Sequence, residues 1–331
     1  MLKLLVYADG TPDARKALGF AAALRRRLGA ELAVITVRPG THAAEEPAPV
    51  GREIPLSQAA ALPRGPRILL EALAVLVAEG VLAQPGGITL RDMSKGHMFV
   101  CKTPDGGRIP FYESFGPFVE SLNREVDEHG YDLLVISRPR RGKMGRLVRG
   151  DATRMLTLDL HTSLLVVRGG GPQSRYLVCA DGSAACRPQF ALLRHLLPAI
   201  APPVNLVFVP QPAMTAAKIE EVHTYLGQAR QWLTGCGTAS AIMTPAGSSP
   251  AEAILLAAGE DSVIVLGASL RHDVYRRMRG SLPMEIMRAT AASVLLVKRP
   301  PEAGADFQKD SPACPVNDGA DRSGPQPGAS R

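Results

Sequence analysis

Residues 2–11 read LKLLVYADGT and residues 175–183 read RYLVCADGS: an apolar run, Ala-Asp-Gly, then a hydroxyl residue placed to open a helix. The echo continues. An apolar run leads into a basic loop at residues 131–151, YDLLVISRPRRGKMGRLVRGD, and again at 261–281, DSVIVLGASLRHDVYRRMRGS. Each copy closes on a short helix and a last strand, with TSLLVVR at 162–168 and ASVLLVKRP at 292–300. Self-similarity on this scale means duplication, so the chain reads as two related α/β units. Its 331 residues suit about two domains.

The first unit, 1–170, opens on a buried strand at 2–8, with Thr11 as N-cap and Pro12 at the first helical position. Helical spacing runs over 14–28, with Arg25, Arg26 and Arg27 on the wet side and Gly29 ending the run. A strand is predicted at 32–37. Residues 41–66 turn rich in Pro, Ala and Glu and read as a long loop. A helix at 67–82 and a strand at 88–93 follow. Two β-rich runs around Pro104-Asp105-Gly106-Gly107 signal a hairpin over about 94–114, and with no counterpart in the second unit it reads as an insertion. A helix at 117–128 and a strand at 132–137 resume the shared pattern.

The second unit, 171–300, is more compact. Its strands are predicted at 176–180, 204–209, 240–243, 262–267 and 293–298, and its helices at 184–197, 216–234, 250–258 and 282–289. Strands alternating with helices demand crossover connections, hence a mostly parallel sheet covered on both faces. Residues 301–331, rich in Pro, Gly, Ala, Ser and Asp, read as a disordered tail.

Composition narrows the class. The longest apolar stretch, 68–83, carries Glu71 and Glu79 and falls short of the roughly 20 residues of a membrane span, so no membrane insertion is expected. The chain runs from Met1 directly into a strand without a secretion signal, which predicts a cytoplasmic protein. Five cysteines, an odd number without paired metal spacing, argue against a zinc site or a disulfide framework. Histidines are scattered without metal or triad spacing, and no nucleophile stands with a base.

Ligands of open parallel α/β sheets sit at the carboxyl ends of strands near the switch point, here the ends of each unit's first and fourth strands. In the second unit these ends carry Asp181-Gly182-Ser183 and Gly267-Ala268-Ser269. The carboxylate can accept hydrogen bonds from an adenine or ribose edge, Gly267 admits a close backbone approach, and Gly280-Ser281 at a helix start offers N–H groups and a hydroxyl to phosphate. The plainer role for Asp9 and Asp181 is to cap the helices that follow them.

These residues resemble those of the universal stress protein family, whose ATP-binding members carry a loop of Gly, two residues, Gly, nine residues, Gly, then Ser or Thr. Gly267, Gly280 and Ser281 match it, and Leu270 replaces the second glycine. VYADGT and VCADGS resemble the family's first-strand signature, with Asp9 and Asp181 in place of its base-contacting Asp. The resemblance implies an α/β fold of two tandem doubly wound parallel five-stranded sheets, of the adenine nucleotide alpha hydrolase-like kind, with an inserted β-hairpin in the first unit. It implies a non-enzymatic stress-response or regulatory protein that pairs its units as an internal pseudo-dimer through 164–168 and 294–298, itself open to homodimer formation and to protein partners. ATP would bind in the second unit through Asp181, Val209, Gly267, Gly280 and Ser281, and more weakly in the first through Asp9 and Gly150. In the first unit Ser137 and Arg140 stand where the family has glycines, and Asp151 would set a carboxylate against a phosphate.

A net charge of +7 suggests attraction to anions. Arg138, Arg140, Arg141 and Lys143 crowd one loop and Arg276 and Arg277 its counterpart, which reads as a solvated face or as an anion site for polyphosphate, nucleic acid or an acidic partner. Two alternatives to a stress regulator therefore stand: an ATP-using enzyme with the hairpin as lid, and a polyanion-binding module acting through the Arg-rich loops. Asp92-Met93-Ser94-Lys95-Gly96 faintly resembles a nucleotidyl-transfer loop, but its His-x-Gly-His partner is missing.

Overall fold

The computed structural model describes residues 1–40, 49–137, 156–157, 159–168, 175–183, 186–200, 203–268 and 282–298. Five strands of the first unit, β1 (Lys3–Tyr7), β2 (Glu31–Arg38), β7 (Arg108–Phe115), β8 (Leu133–Ser137) and β9 (Ser163–Val167), run parallel in the order β9-β8-β1-β2-β7. The second unit repeats this order with β14 (Ser293–Val297), β13 (Ser262–Gly267), β10 (Arg175–Cys179), β11 (Val204–Val207) and β12 (Ile242–Met243). The units join into one sheet where β9 and β14 pair antiparallel, with Val294 opposite Val166, Leu295 opposite Leu165 and Leu296 opposite Leu164. This is the pairing that the resemblance implied, and it points the carboxyl ends of the two units in opposite directions.

Side chains alternate across the sheet, so each strand feeds two cores. Leu4 and Val6 of β1 pack with helices α1 (Pro12–Leu28), α2 (Arg64–Ala78), α4 (Arg187–Leu196) and α5 (Ala216–Gly235) on one face. Leu5 packs with α3 (Phe118–His129), α6 (Pro250–Ala258) and α7 (Leu282–Ala289) on the other. Both cores run across the seam.

Helix boundaries follow local chemistry. Thr11 Oγ1 accepts from Ala14 N at 3.3 Å, Pro12 opens α1, and Gly29 at φ 63° closes it with its N–H on the Arg25 carbonyl. Ser249 caps α6 while Glu252 reaches back to the Ser248 N–H at 2.8 Å. Of the three arginines expected on the wet side of α1, Arg25 is only partly exposed, since it bridges to Asp105 at 2.9 Å.

Three expectations need correction. The third strand of the first unit is β7, the second arm of the hairpin, which lies beside β2 as β12 lies beside β11. The addition is therefore only its first arm, β6 (Gly96–Lys102), and the short β5 (Arg91–Met93), which extend the sheet antiparallel. Residues 88–93 are not one strand: β4 (Gly87–Thr89) leaves to pair with β3 (Glu53–Pro55) in a separate two-stranded sheet. The loop 41–66 thus holds β3 and a 3₁₀ turn at Leu56–Ala61, and α2 starts within it. Finally, Cys101, Cys179 and Cys186 are free thiols but Cys236 is disulfide-bonded, which an odd cysteine count gave no reason to expect.

Among the described residues no helix is long and apolar enough to cross a membrane.

Candidate functional site

Both Ala-Asp-Gly turns sit where the first strand of a unit ends, and both aspartates are at work on their own backbone. Asp9 Oδ1 accepts from Thr11 N at 2.9 Å and from Thr11 Oγ1 at 2.6 Å. Asp181 Oδ1 accepts from Ser183 N at 2.9 Å and from the Cys186 thiol at 3.1 Å. Each carboxylate closes a local turn ahead of the helix and caps neither helix: Thr11 caps α1, and α4 follows Cys186 without a side-chain cap. These bonds go to Oδ1 in both carboxylates.

The electrostatics keep Asp181 ionised. Burial works to raise its pKa, but the hydrogen bonds from Ser183 and Cys186 outweigh it and the net shift is downward. Burial, then the Asp181 charge, pushes the Cys186 thiol up to about 11, so it stays a donor.

The second unit presents an apolar floor beside that carboxylate. Cys179, Val207 and Met243 are in register on adjacent strands, Val209 lies one step beyond Val207, and all four belong to the core of the α6 face. Cys179, Val209 and Met243 are only partly buried. Gly267 ends β13 next to β10, so Asp181, Val209 and Gly267 come together at the carboxyl ends of three neighbouring strands.

In the first unit the same place carries aromatic side chains, themselves partly buried. Tyr7 takes the position of Cys179 and packs edge-on against Phe118 at the start of α3, with ring centroids 4.9 Å apart. Burial and then the Asp9 charge raise the Tyr7 pKa, so the phenol stays neutral. On the opposite face α2 crowds the turn: a Cβ on Gly10 would lie 3.0 Å from Ile68 Cγ1, whereas the corresponding Gly182 leaves 3.6 Å to Val222.

On the α2 face of the first unit lies a buried polar cluster that gave no sequence signal beyond two glycines. Glu113, near the carboxyl end of β7, accepts from His97 Nδ1 at 2.6 Å and stands 3.8 Å from Arg38 Nη1. His97 and Glu113 are 4% and 3% exposed. Asp92 flanks the other ring nitrogen of His97 at 3.5 Å. Space here exists only because two residues lack side chains. A Cβ on Gly65 would overlap the Glu113 carboxylate, and one on Gly96, at φ 146°, would run into the Glu113 carbonyl. Gly96→Ala is therefore expected to cost about 3 kcal/mol, lowering the melting temperature by roughly 5–10 °C in a calorimetric scan.

No family model matches the sequence, and no curated protein matches it. Solved structures do. A universal stress protein from Archaeoglobus fulgidus DSM 4304 superposes with a TM-score of 0.59 over 90% of this chain and 96% of its own, at 16% identity. The chain has the tandem universal stress protein fold. A putative universal stress protein from Pseudomonas aeruginosa UCBPP-PA14 gives 0.53 over 89% of this chain and 92% of its own at 14% identity. A functionally unknown protein from Pseudomonas aeruginosa PAO1 gives 0.52 over the same shares, also at 14%.

Within this universal stress fold, Asp9, Asp181, Val209 and Gly267 stand at strand ends as expected. Gly150, Gly280 and Ser281, and the basic residues Arg138, Arg140, Arg141, Lys143, Arg276 and Arg277, lie outside the described residues. Among the described residues no group of three or more His, Cys, Asp or Glu side chains gathers as a metal site.

Proposed function

We propose that the chain is a non-enzymatic, cytoplasmic stress-response regulator whose second unit, 171–300, binds an adenine nucleotide while its first, 1–170, serves as a scaffold and a surface for a protein partner. One observation carries the division of labour. The two units share a strand order, yet at the carboxyl-end site the first sets the aromatic rings of Tyr7 and Phe118, and the second sets the smaller Cys179 with Val209 and Met243 beside the Asp181 carboxylate.

The residues fit the ligand class. An adenine ring would lie on the apolar floor with its amino edge on Asp181, and the N–H groups and hydroxyl of Gly280-Ser281 would take phosphate. The thiol that meets the Asp181 carboxylate, Cys186, is held protonated with its pKa pushed up to about 11, which favours binding over turnover.

Isothermal titration of Mg-ATP at two salt concentrations tests the reading. We expect binding on the order of micromolar, weakened roughly tenfold or more by Asp181→Ala and by Gly280→Asp and unchanged by Asp9→Ala. Heat that vanishes with salt and ignores all three variants would overturn the proposal and leave a polyanion-binding surface in its place.

A further inference from the structure

The β5–β6 addition, which the second unit lacks, is clothed on one side. Phe99 and Cys101 of β6 turn into the core of the α2 face. Alternate residues turn to the other face, where α3 packs over β2 and its last residue, His129, meets Tyr112 with ring centroids 5.7 Å apart. Past Tyr112 the register sets Met98 opposite it on β6 and Val100 opposite Pro110, with Met93 one strand further out. Met93, Met98 and Pro110 are half-buried and Val100 is 43% exposed. Sheets of this class carry helices on both faces. Among the described residues, this end of the sheet has one, α2, on a single face.

Cations frame the bare strip. Arg91 stands opposite Met98, and Lys102 stands opposite Arg108 at the far end of the β6–β7 pair; cross-strand partners share a face, and all three are exposed. The acids of these strands are turned to the other face, where Asp92 lies 3.5 Å and Glu113 2.6 Å from the His97 ring. An apolar centre rich in methionine, with arginine at its rim, has the make-up of a protein-binding surface that adapts to its partner.

We propose that this face docks an amphipathic helix of a partner protein, laid along β6 beside α3, with its apolar stripe on Met98, Val100 and Pro110 and acidic side chains on Arg91, Lys102 and Arg108. The inference rests on the reading of the first unit as a surface for a protein partner and makes no use of the nucleotide. Charge selects the occupant. A second copy of the same face would bring three cations against these three, and a nucleic acid would gain nothing from the apolar centre. Length fits as well: the 7 residues of β6 span about 23 Å, the length of a helix of about 15 residues.

The probe is a synthetic helical peptide of about 15 residues with one apolar stripe and glutamate flanks, titrated into the full chain by fluorescence anisotropy beside a peptide with the same stripe and lysine flanks. The glutamate peptide is expected to bind about fivefold tighter than the lysine peptide and to lose about tenfold in Val100→Asp, while the double variant Lys102→Glu, Arg108→Glu reverses the preference. All three positions are exposed, so melting temperature and Mg-ATP titration should stay as in the wild type. Methyl resonances of Met93, Met98 and Val100 are expected to shift on adding the glutamate peptide. No binding, equal affinity for both peptides, or a preference that survives the double variant would overturn the proposal. So would self-association abolished by Val100→Asp, which would give the face to a second copy. Shifts confined to other methyls of the first unit would sink this docking face and leave that unit a partner surface; shifts confined to the second unit would sink both.

Discussion

His97→Ala is expected to destabilise the protein by about 3 kcal/mol, the scale of leaving a buried carboxylate without its hydrogen-bond donor. His97 and Glu113 are closed off from water by the Gly65 and Gly96 backbones, and Arg38 at 3.8 Å is too far to replace the 2.6 Å bond that Glu113 would lose. The carboxylate would be left with its desolvation cost largely unoffset. For a chain of this size, with a urea m-value of about 3 kcal/mol/M, the unfolding midpoint is expected to fall by about 1 M or more. The double variant His97→Phe, Glu113→Leu separates charge from packing. A pair replaced by apolar side chains recovers much of the loss, so the double variant is expected to be more stable than His97→Ala. If the double variant is no better, the cost of His97→Ala is a cavity effect and the His97–Glu113 hydrogen bond is not what holds β6 to β7.

This cluster also marks where the sequence stopped being readable. The β1 and β10 runs, with Asp-Gly and a hydroxyl after them, announce strand, turn and helix because all the determinants are local. The strand order of the first unit is set by pairing across distance, and the choice of β7 over residues 88–93 as third strand depended on which run could lie beside β2. An eight-residue strand whose last five residues are all buried could fill that place, and three-residue strands could not. His97 and Glu113 each look like the outward member of an alternating run. Only their pairing under two glycines makes them core. The same limit applies at the candidate site. Asp9 and Asp181 were legible as caps and as ligands alike, and the difference between the units, Tyr7 on Phe118 against Cys179 alone, arises because residues 111 apart in sequence meet at one strand end.

Leu295→Asp is expected to open the seam. Leu295 is 1% exposed, faces Leu165 across the antiparallel β9–β14 pair and shares a core with it. Among the described residues the strands around it, β9, β13 and β14, carry no charged side chain and their N–H groups serve the sheet, and a buried charge set among them costs several kcal/mol. The two units can avoid most of that cost by parting along the line where they meet, because each keeps its own five parallel strands. Loss of order is therefore expected to be local. Exchange of the β9 and β14 amides should accelerate by about a hundredfold or more, while β1 and β10, at the centres of the two halves, stay protected to nearly the wild-type degree. Uniform acceleration across the whole sheet would mean instead that the twelve strands fold as one cooperative unit, and that neither copy of the duplication retains a stability of its own.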